Sequence, residues 1–430
     1  MDKDHLSRLL DFIDSKNEDS IDFLKKLVGF DSTFIDQGIC GNELAIQEYL
    51  ENYLIDLGFK TRLFEPDNEK MKEYADFNPG HNYANRPNLA AILPGKGNGK
   101  SIILNGHADT VPLGELSQWQ HDPLKGEIAD GKLYGRGTCD MKAGMAAMIL
   151  AVRYLKETGL QPSGDVKVLS VVDEEGGGNG TLACMAEGYW ADAAIVTEPT
   201  QLQILAASRG VFLLQIDVPG KATHAALKWG GVNAIEKAIK IYDGLKELEH
   251  LWLAKRHNPL LPSPTITIGH INGGLAGAIV AGECSMKLDL KYLPVEIDEN
   301  GKEKTIDGES VRREVTAWIE RICQGDEWLS QHPPRLNWYL HVLPHWLGAD
   351  HPIVHTLQDA SHMIMGKSRV SGLPSGADAR ILQNVGKIPT VLFGPGNLQY
   401  AHSIDEYVEI DQFFSAIKIL AAAIWEWTSQ

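Results

Sequence analysis

Asp165-Val166-Lys167-Val168-Leu169-Ser170-Val171-Val172 is an apolar stretch with the length of a β-strand, and it indicates the fold class of the chain. Ser101-Ile102-Ile103-Leu104-Asn105 and Ala193-Ala194-Ile195-Val196 are stretches of the same kind, and a helix is predicted between them, from Thr138 to Leu155. Strands that are almost continuously apolar lie in sheets covered on both faces. We therefore predict an α/β fold, in which layers of helices cover a mixed sheet.

The length and charge of the chain exclude several classes of protein. A chain of 430 residues is too long for one compact core, which predicts two domains. The net charge of -17 argues against a nucleic-acid partner, because such binding needs a basic surface. The charged segment at residues 1–5 and the short apolar run from Ala143 to Val152 predict a cytoplasmic protein with no membrane partner.

Cysteine and nucleotide chemistry are not expected. The five cysteines are far apart and odd in number, which argues against a disulfide framework and against a thiolate zinc site. Gly95-Lys96-Gly97-Asn98-Gly99-Lys100-Ser101 imitates a phosphate-binding loop, but Pro94 stands where that motif needs glycine. We interpret the run as a hairpin turn between two strands, and a nucleotide-binding protein is not favoured.

The pattern changes near Ser208, where the strands begin to alternate between apolar and polar residues. The predicted elements are a strand at 211–218, a helix at 232–248, strands at 265–271 and 285–292, a helix at 310–323 and a strand at 336–342. This βαββαβ order is typical of a ferredoxin-like domain. We therefore predict an inserted domain at 209–344, flanked by the two parts of a larger domain at 1–208 and 345–430.

Histidines and carboxylates stand where predicted strands end or a helix begins. They are His107, Asp109, Asp140, Glu174, Glu175, Glu198 and His402. In an open α/β sheet, ligands bind beyond the carboxyl ends of the strands, so one acidic pocket is expected. Packed carboxylates need cations, and a set of histidines and carboxylates without thiolates suits zinc, cobalt or manganese.

Each of these residues also has a structural interpretation when it is taken alone. A single histidine after a strand is more often hydrogen-bonded structure than a metal ligand. Glu174 and Glu175 are compatible with a solvated acidic turn, and Asp140 is compatible with a helix N-cap. The metal interpretation depends on their occurring together.

Four blocks of sequence resemble a known family. They are His107-Ala108-Asp109-Thr110-Val111-Pro112, Gly135-Arg136-Gly137-Thr138-Cys139-Asp140-Met141-Lys142-Ala143-Gly144, Glu174-Glu175 with Gly177 and Gly180, and Thr197-Glu198-Pro199. In order and spacing they resemble the metallopeptidase family of acetylornithine deacetylase, succinyl-diaminopimelate desuccinylase, aminoacylase and bacterial glutamate carboxypeptidase. The resemblance covers almost the whole chain, including the inserted domain and His402.

The resemblance implies a site for two divalent metal ions, most consistent with zinc, with cobalt or manganese as alternatives. One ion would be held by His107, Asp140 and Glu198, and the other by Asp140, Glu175 and His402. Asp140 would then bridge the two ions. Two ions so placed lower the pKa of a shared water and polarise a carbonyl group.

The resemblance also assigns two residues that are not metal ligands. Glu174 would be the general base, which takes a proton from the attacking water and later gives it to the leaving nitrogen. Asp109 would orient the imidazole ring of His107. The peptide bond between Asp140 and Met141 is expected to be cis.

Further candidate residues concern substrate binding and assembly. By resemblance, His224 reaches the active site of a second subunit and donates a hydrogen bond to the oxyanion, and Asn272 lies near the substrate. The inserted domain would then serve as a lid and as the contact surface of a homodimer. Arg380 could grip a substrate carboxylate or form a surface salt bridge. Lys291 stands where many relatives have arginine, and lysine cannot make a bidentate clamp.

These residues predict a metal-dependent amidohydrolase that removes the acyl group from a small N-acylated amino acid or related amine. The alternatives are a dipeptidase or carboxypeptidase, and a formylaminopyrimidine deformylase. A non-catalytic metal-binding protein is disfavoured because Glu174 is present beside a complete ligand set. The long polar segment from Asp67 to Pro87 is expected to be a functional or mobile loop.

Overall fold

The structure is a computed structural model, and it describes residues 3–35, 39–298 and 300–430. The chain divides into two compact units. The larger unit consists of Met1–Ala206, Leu347–Ser371 and Ala377–Gln430, and the smaller unit of Ala207–Trp346 and Gly372–Gly376.

Helices occur along the whole chain. The α-helices are α1 (Lys3–Asp14), α2 (Asn17–Val28), α3 (Leu44–Asp56), α4 (Asn68–Met71), α5 (Ala143–Glu157), α6 (Asn179–Ala186), α7 (Ala234–Lys255), α8 (Gly308–Gln324), α9 (Pro352–Met365), α10 (Ala379–Asn384) and α11 (Ile410–Thr428). Short 3-10 helices span Leu116–Gln118, Ala225–Gly230 and Leu398–Tyr400. Among the residues that the structure describes, no helix combines the length and the apolar character that crossing a membrane requires.

The strands belong to several sheets. They are β1 (Phe34–Ile35), β2 (Cys40–Gly41), β3 (Lys60–Phe64), β4 (Asn88–Leu93), β5 (Ile102–His107), β6 (Glu127–Ala129), β7 (Lys132–Tyr134), β8 (Val166–Val171), β9 (Ala193–Val196), β10 (Ile204–Ser208), β11 (Gly210–Pro219), β12 (Thr265–Gly273), β13 (Glu283–Tyr292), β14 (Val295–Ile297), β15 (Glu303–Thr305), β16 (Arg335–Val342), β17 (His345–Trp346), β18 (Val370–Leu373), β19 (Thr390–Leu392) and β20 (Tyr407–Glu409).

A mixed sheet forms the centre of the larger unit. Its strands follow the order β10-β19-β9-β5-β8-β4-β3. The pairs β19–β9, β9–β5 and β5–β8 are parallel, whereas β10–β19, β8–β4 and β4–β3 are antiparallel. The predicted α/β fold with a mixed sheet is confirmed, and the apolar stretches that predicted it are the buried central strands β5, β8 and β9.

Helix α5 is the most deeply buried helix segment beside this sheet. It contacts both β5 and α11, and small residues over its first turns allow a close approach. At Gly144 a methyl group would overlap the carbonyl oxygen of Thr197, directly after β9. Glycine is therefore required at this position for α5 to pass the end of β9, and this approach sets the position of Glu198.

The smaller unit is built on an antiparallel sheet with the order β12-β13-β11-β16. Helices α7 and α8 pack together, and their apolar residues form one core with alternate residues of the sheet, such as Leu214 and Ile216 on β11. The predicted βαββαβ order is present as β11-α7-β12-β13-α8-β16. The hairpin of β14 and β15, which the sequence did not predict, lies between β13 and α8.

Two predicted elements differ from the structure. The helix predicted from Thr138 begins only at Ala143, because Asp140 and Met141 have non-helical backbone angles and the peptide bond between them is cis. Asp140 is therefore not the N-cap of α5, a position that Lys142 holds. The glycine-rich run at 95–101 is not a hairpin turn, because it joins β4 to β5, which pair with opposite sides of β8.

Candidate metal centre

The carboxyl ends of three parallel strands bring the predicted site residues together. His107 is the last residue of β5, Glu174 follows the end of β8, and Glu198 follows the end of β9. These strands are neighbours in the order β9-β5-β8, so the residues that follow them lie at one edge of the sheet. The parallel pairing of these strands therefore brings the predicted site residues together.

Direct contacts join the two histidines to the carboxylates. His107 Nε2 lies 3.0 Å from Asp140 Oδ1. His402 Nε2 lies 2.8 Å from Glu175 Oε1 and 3.3 Å from Asp140 Oδ2. Asp140 faces one histidine with each of its oxygens, which is the arrangement needed of a carboxylate that bridges two cations.

Two sets of donor atoms are close enough to hold a cation. In the sets His107, Glu174, Glu198 and His107, Asp140, Glu175, the donor atoms lie within 4.8 Å of one another. Glu174 belongs to the first set, although it was predicted to be the base and not a ligand. A base must also lie beside the attacking water, so proximity alone does not separate the two roles, and both stay predictions.

The carboxylates of this cluster do not share one ionisation behaviour. Removal from water and the negative charge of Asp378 raise the pKa of Glu174 well above its ordinary value. Burial and the charges of Asp140 and Glu174 do the same to the pKa of Glu198. Burial alone would raise the pKa of Asp140, but hydrogen bonds with the two histidines outweigh burial and hold it below its ordinary value. Several carboxylates thus compete for too few positive charges.

The histidines respond to the same excess of negative charge. Burial opposes protonation of His107, but its hydrogen bond with Asp140 and nearby carboxylates raise its pKa well above the ordinary value. Hydrogen bonds with Asp140 and Glu175 raise the pKa of His402 to about 10. The negative charge of the cluster therefore favours a positive charge at both rings. Nitrogen and oxygen donors that attract positive charge this strongly fit zinc, cobalt or manganese.

The nearest thiol does not belong to the donor set. The Sγ atom of Cys139, next to Asp140, donates to the carbonyl oxygen of Asn397 at 3.2 Å. Burial raises the pKa of this thiol well above its ordinary value, which disfavours the thiolate form that binds metals. Cys139 is therefore not a candidate ligand.

Asp109 contacts the site through both its main chain and its side chain. His107 Nδ1 lies 2.8 Å from the main-chain carbonyl oxygen of Asp109 and 3.6 Å from its carboxylate. Because a carbonyl oxygen only accepts, Nδ1 carries the proton, and the neutral ring keeps the Nε2 lone pair for a cation. The carboxylate of Asp109 instead accepts from the N–H groups of Glu174 (3.2 Å) and Glu175 (3.1 Å).

A buried ion pair that the sequence did not reveal supports the same site. Arg136 Nη1 donates to Glu406 Oε2 at 2.6 Å and to the carbonyl oxygen of Ser403 at 3.1 Å. Glu406 Oε1 accepts from the N–H groups of Cys139 (2.9 Å) and Asp140 (3.1 Å). The pair therefore ties the loop of the late histidine to the backbone of the proposed bridging carboxylate. The position of Arg136 inside the glycine-rich motif was the only signal available in the sequence.

Arg380 is engaged by the protein itself. Its side chain is buried, and it donates to the carbonyl oxygens of Ala377 at 3.1 Å and Gly177 at 2.9 Å. Its Nε atom lies 3.5 Å from a carboxylate oxygen of Asp76. The predicted grip on a substrate carboxylate stays a prediction, and these contacts do not favour it.

The remaining candidates belong to the smaller unit. Lys291 Nζ lies 3.0 Å from Asp289 Oδ2, so this lysine already has an anionic partner. Asn272 and His224 are exposed. His224 Nδ1 accepts from the N–H of Ala226 at 3.1 Å, so the proton of the neutral ring lies on Nε2 and points to a donor role.

Comparisons with known proteins place this arrangement in a family. The model of peptidase family M20/M25/M40 matches residues 103–426. An N-formyl-4-amino-5-aminomethyl-2-methylpyrimidine deformylase of Halalkalibacterium halodurans is 30% identical, over 98% of this chain and 97% of that protein. An acetylornithine deacetylase of Vibrio vulnificus is also 30% identical, over 89% of this chain and 91% of that protein.

A solved structure agrees with the fold. The crystal structure of the aminopeptidase PepT from Bacillus cereus superposes with a TM-score of 0.71 at 22% identity, over 96% of this chain and 99% of that one. At this identity the likeness concerns the fold alone. Together with the family match over most of the chain, it leads to one conclusion: the chain is a metallohydrolase that belongs to peptidase family M20/M25/M40.

Proposed function

We propose that this chain hydrolyses the amide bond of a small N-formylated aminopyrimidine, with release of formate and the free amine. The observation that carries amide hydrolysis is the cluster in which Asp140 faces both His107 and His402 beside Glu174. The formyl substrate is favoured by the deformylase relative, which matches nearly the whole length of the chain. This changes the order of the sequence-based hypotheses, in which deacylation of an N-acyl amino acid came first and deformylation was an alternative.

The contacts of the two cationic residues predicted to bind substrate support the preference for a formylated substrate. An N-acyl amino acid carries a free carboxylate, which needs an unpaired cationic partner. Arg380 is held by main-chain carbonyls and Asp76, and Lys291 is paired with Asp289. A formylated aminopyrimidine carries no carboxylate, so its binding does not require either cation to leave its present partner.

Two divalent cations, zinc first with cobalt or manganese as alternatives, fit the donor set described above. The proposed ligands are His107, Asp140, Glu175, Glu198 and His402. When bound, such cations polarise the scissile carbonyl and make a water more acidic.

Within that site, Glu174 takes the proton of the attacking water and delivers it to the leaving nitrogen. The N–H groups of Glu174 and Glu175 are held by Asp109, which keeps the base and the neighbouring ligand in a fixed relation. The carbonyl oxygen of Asp109 holds His107 in the tautomer that leaves the Nε2 lone pair for a cation.

A substrate panel tests the proposed chemistry. Purified zinc-loaded protein is offered the formylaminopyrimidine, N-acetylornithine and an unblocked dipeptide, and released amine is measured. We expect kcat/KM for the formyl substrate to exceed the others by about 100-fold, the scale on which a fitted pocket discriminates. Faster turnover of N-acetylornithine or of the dipeptide would overturn the formyl assignment while leaving amide hydrolysis intact.

The adjacent glutamates test the division of roles. Glu174→Gln is expected to keep its metal content and to lose turnover by about 10²–10⁴-fold, the usual contribution of a general base. Glu175→Ala is expected to lose metal, because it removes a ligand. Equal behaviour of the two variants in metal analysis and in turnover would contradict the assignment.

We further propose that the chain is a homodimer in which His224 serves the site of the partner. The exposed ring and its Nε2 proton support a donor role, as does the resemblance of its sequence block. Inactive His224→Ala and inactive Glu174→Gln subunits are mixed and allowed to exchange. Recovered activity is expected, because one site of each mixed dimer then has both groups. No recovery after confirmed exchange would assign His224 to its own subunit or to no catalytic role.

A further inference from the structure

The loop from Asp67 to Pro87 lies against the turn that carries the catalytic glutamates. In chain order this loop is remote from Glu174, yet its residues contact both ends of the segment 173–178. Helix α4 begins it, and Tyr83 and Arg86 near its end are buried. The loop is therefore a packed part of the larger unit.

The first point of contact is Asp173, the residue before Glu174. Asp173 is fully buried and has a φ of 66°, in the left-handed region that non-glycine residues seldom adopt. This conformation turns the chain sharply between the end of β8 and Glu174. Its carbonyl oxygen accepts from the N–H of Gly178 at 2.7 Å, which closes the turn on itself. Whatever holds Asp173 therefore fixes the direction in which Glu174 leaves the strand.

The carboxylate of Asp173 is held by side chains of the loop. Tyr83 OH donates to Oδ2 at 2.7 Å, and His81 Nδ1 lies 2.9 Å from each oxygen. The guanidinium of Arg86 lies further away, at 3.9 Å. Burial and the charge of Asp173 raise the pKa of Tyr83 far above its ordinary value, so the phenol keeps its proton and donates.

The second point of contact lies at the other end of the turn. Asn78 Nδ2 donates to the carbonyl oxygen of Gly176 at 2.7 Å. Asn179 Nδ2 donates to Tyr83 OH at 2.7 Å, and its Oδ1 accepts from the N–H of Asn78 at 3.0 Å. A Cβ atom at Gly177 would lie 2.6 Å from Asn78 Nδ2, so the glycine of the family motif makes room for this contact.

From these contacts we propose that Tyr83 and His81 are positioning residues for the general base. The turn of Glu174 and Glu175 is held on one side by Asp109, which accepts both N–H groups, and on the other by the loop through Asp173. Displacing a base by about 1 Å can lower the reaction rate about 100-fold, because proton transfer depends steeply on distance. The loop thus acts on catalysis through Asp173 and the turn that carries Glu174. This inference rests on the proposed amide hydrolysis but not on which amide is cleaved.

The test compares two buried tyrosines whose hydroxyl groups form hydrogen bonds inside the larger unit. Tyr83→Phe removes the donor to Asp173 and the acceptor of Asn179 Nδ2. Tyr154→Phe is the matched control, because Tyr154 is fully buried and its hydroxyl lies 2.7 Å from Ser20 Oγ, away from the cluster. We expect Tyr83→Phe to lower kcat by about 10-fold or more, with KM and bound zinc within about 2-fold of the parent. Tyr154→Phe is expected to shift the thermal midpoint by a similar amount and to keep kcat.

Hydrogen exchange gives a readout that needs no substrate. In the metal-free protein, the N–H groups of segment 173–178 are expected to exchange about 10-fold faster in Tyr83→Phe and at the parental rate in Tyr154→Phe. Parental exchange in Tyr83→Phe, or an equal loss of kcat in both variants, would overturn the positioning role. If the parent turns over no amide of the panel, the proposed function fails, and exchange alone then decides the positioning role.

Asp173, which accepts the hydrogen bond from Tyr83, provides a second variant. Asp173→Asn keeps a side chain that tolerates the left-handed conformation and removes the charge that Tyr83 and His81 hold. Its loss of kcat is expected to match that of Tyr83→Phe, and the double variant should lose little more, since both changes break the same contact. Losses that multiply in the double variant would contradict a shared role.

Discussion

Replacing Glu406 by glutamine removes the negative charge that faces Arg136 inside the larger unit. The side chains of the pair are 1% and 3% exposed, so solvent cannot take over the lost partner. The amide oxygen of glutamine can still accept from the N–H groups of Cys139 and Asp140. Its NH₂ group, however, would face a guanidinium nitrogen that now lies 2.6 Å from a carboxylate oxygen.

The expected cost follows from these contacts. Breaking a buried ion pair by removing one partner costs about 3–5 kcal/mol, because a buried charge is left uncompensated. Arg136 keeps its hydrogen bonds to the carbonyl oxygens of Ser403 and Pro112, at 3.1 and 3.2 Å. We therefore expect the free energy of unfolding to fall by about 3 kcal/mol, the lower end of this range. With a denaturant slope of about 3 kcal/mol per molar, this lowers the urea midpoint by about 1 M.

Metal binding should weaken in the same variant. The pair holds the backbone of Asp140 and the residue after His402, and loss of such supporting contacts costs about 10–100-fold in metal affinity. Urea unfolding of chelator-treated protein measures the first effect, and competition with a zinc-binding dye measures the second. Glu187→Gln is the matched control, because its partners Arg62 and Lys70 are more than half exposed. Exposed pairs contribute about 1 kcal/mol or less. If Glu406→Gln unfolds and binds zinc as Glu187→Gln does, the pair neither stabilises nor orients the site.

Three further predictions concern the metal, the packing of α5 and the stability of the smaller unit. Chelation should abolish turnover and zinc, cobalt or manganese should restore it, whereas active protein free of transition metal in elemental analysis would contradict the site. Gly144→Ala should lower the free energy of unfolding by about 1–3 kcal/mol, because the added methyl group forces α5 away from Thr197. Gly277→Ala is the control: nothing lies within 4 Å of a methyl group there, so the free energy of unfolding should change by no more than about 0.5 kcal/mol in the same urea experiment. Burial alone would raise the pKa of Asp326, but hydrogen bonds with Lys237, a main-chain N–H and Lys240 hold it below the ordinary value. The stabilising contribution of ionised Asp326 is therefore present when the pH lies above the ordinary pKa and is lost as the pH falls through the lower pKa of the folded state. Asp326→Asn should thus lower the free energy of unfolding by about 1.5–3 kcal/mol at neutral pH and by progressively less in strong acid. An equal cost at both pH values in urea unfolding would refute the charged interaction.

The parts of the fold that could be predicted are those with a local signal. The apolar runs of β5, β8 and β9 and the alternation in β11 to β13 predicted the strands, and the element order predicted the antiparallel sheet of the smaller unit. Helix α5 was predicted too long because Thr138 to Lys142 has helix-compatible residues. In the structure Asp140 and Met141 are non-helical, and the N–H groups of Cys139 and Asp140 donate to Glu406, which lies far away in the chain.

The candidate site shows the same division. His107, Asp140 and His402 stand in recognisable blocks, and the structure brings them into contact. The contacts that hold them were not predictable, because each joins segments that are remote in sequence. Asp173 is paired with Tyr83 across 90 residues, and nothing in the sequence indicated this contact. Propensity and motif spacing carry no information on such pairs, which are selected by the folded geometry.

The order of strands in the central sheet has a consequence for how the protein is made. β19 lies between β9 and β10, although a ribosome synthesises both neighbours, and the whole smaller unit, before Thr390–Leu392 emerges. During that interval the nascent chain exposes two unpaired strand edges, which are the surfaces on which aggregation begins and which chaperones cover. His402 is made later still. The central sheet is thus completed only after the whole smaller unit has been synthesised, and a full donor set for metal exists only once His402 has left the ribosome.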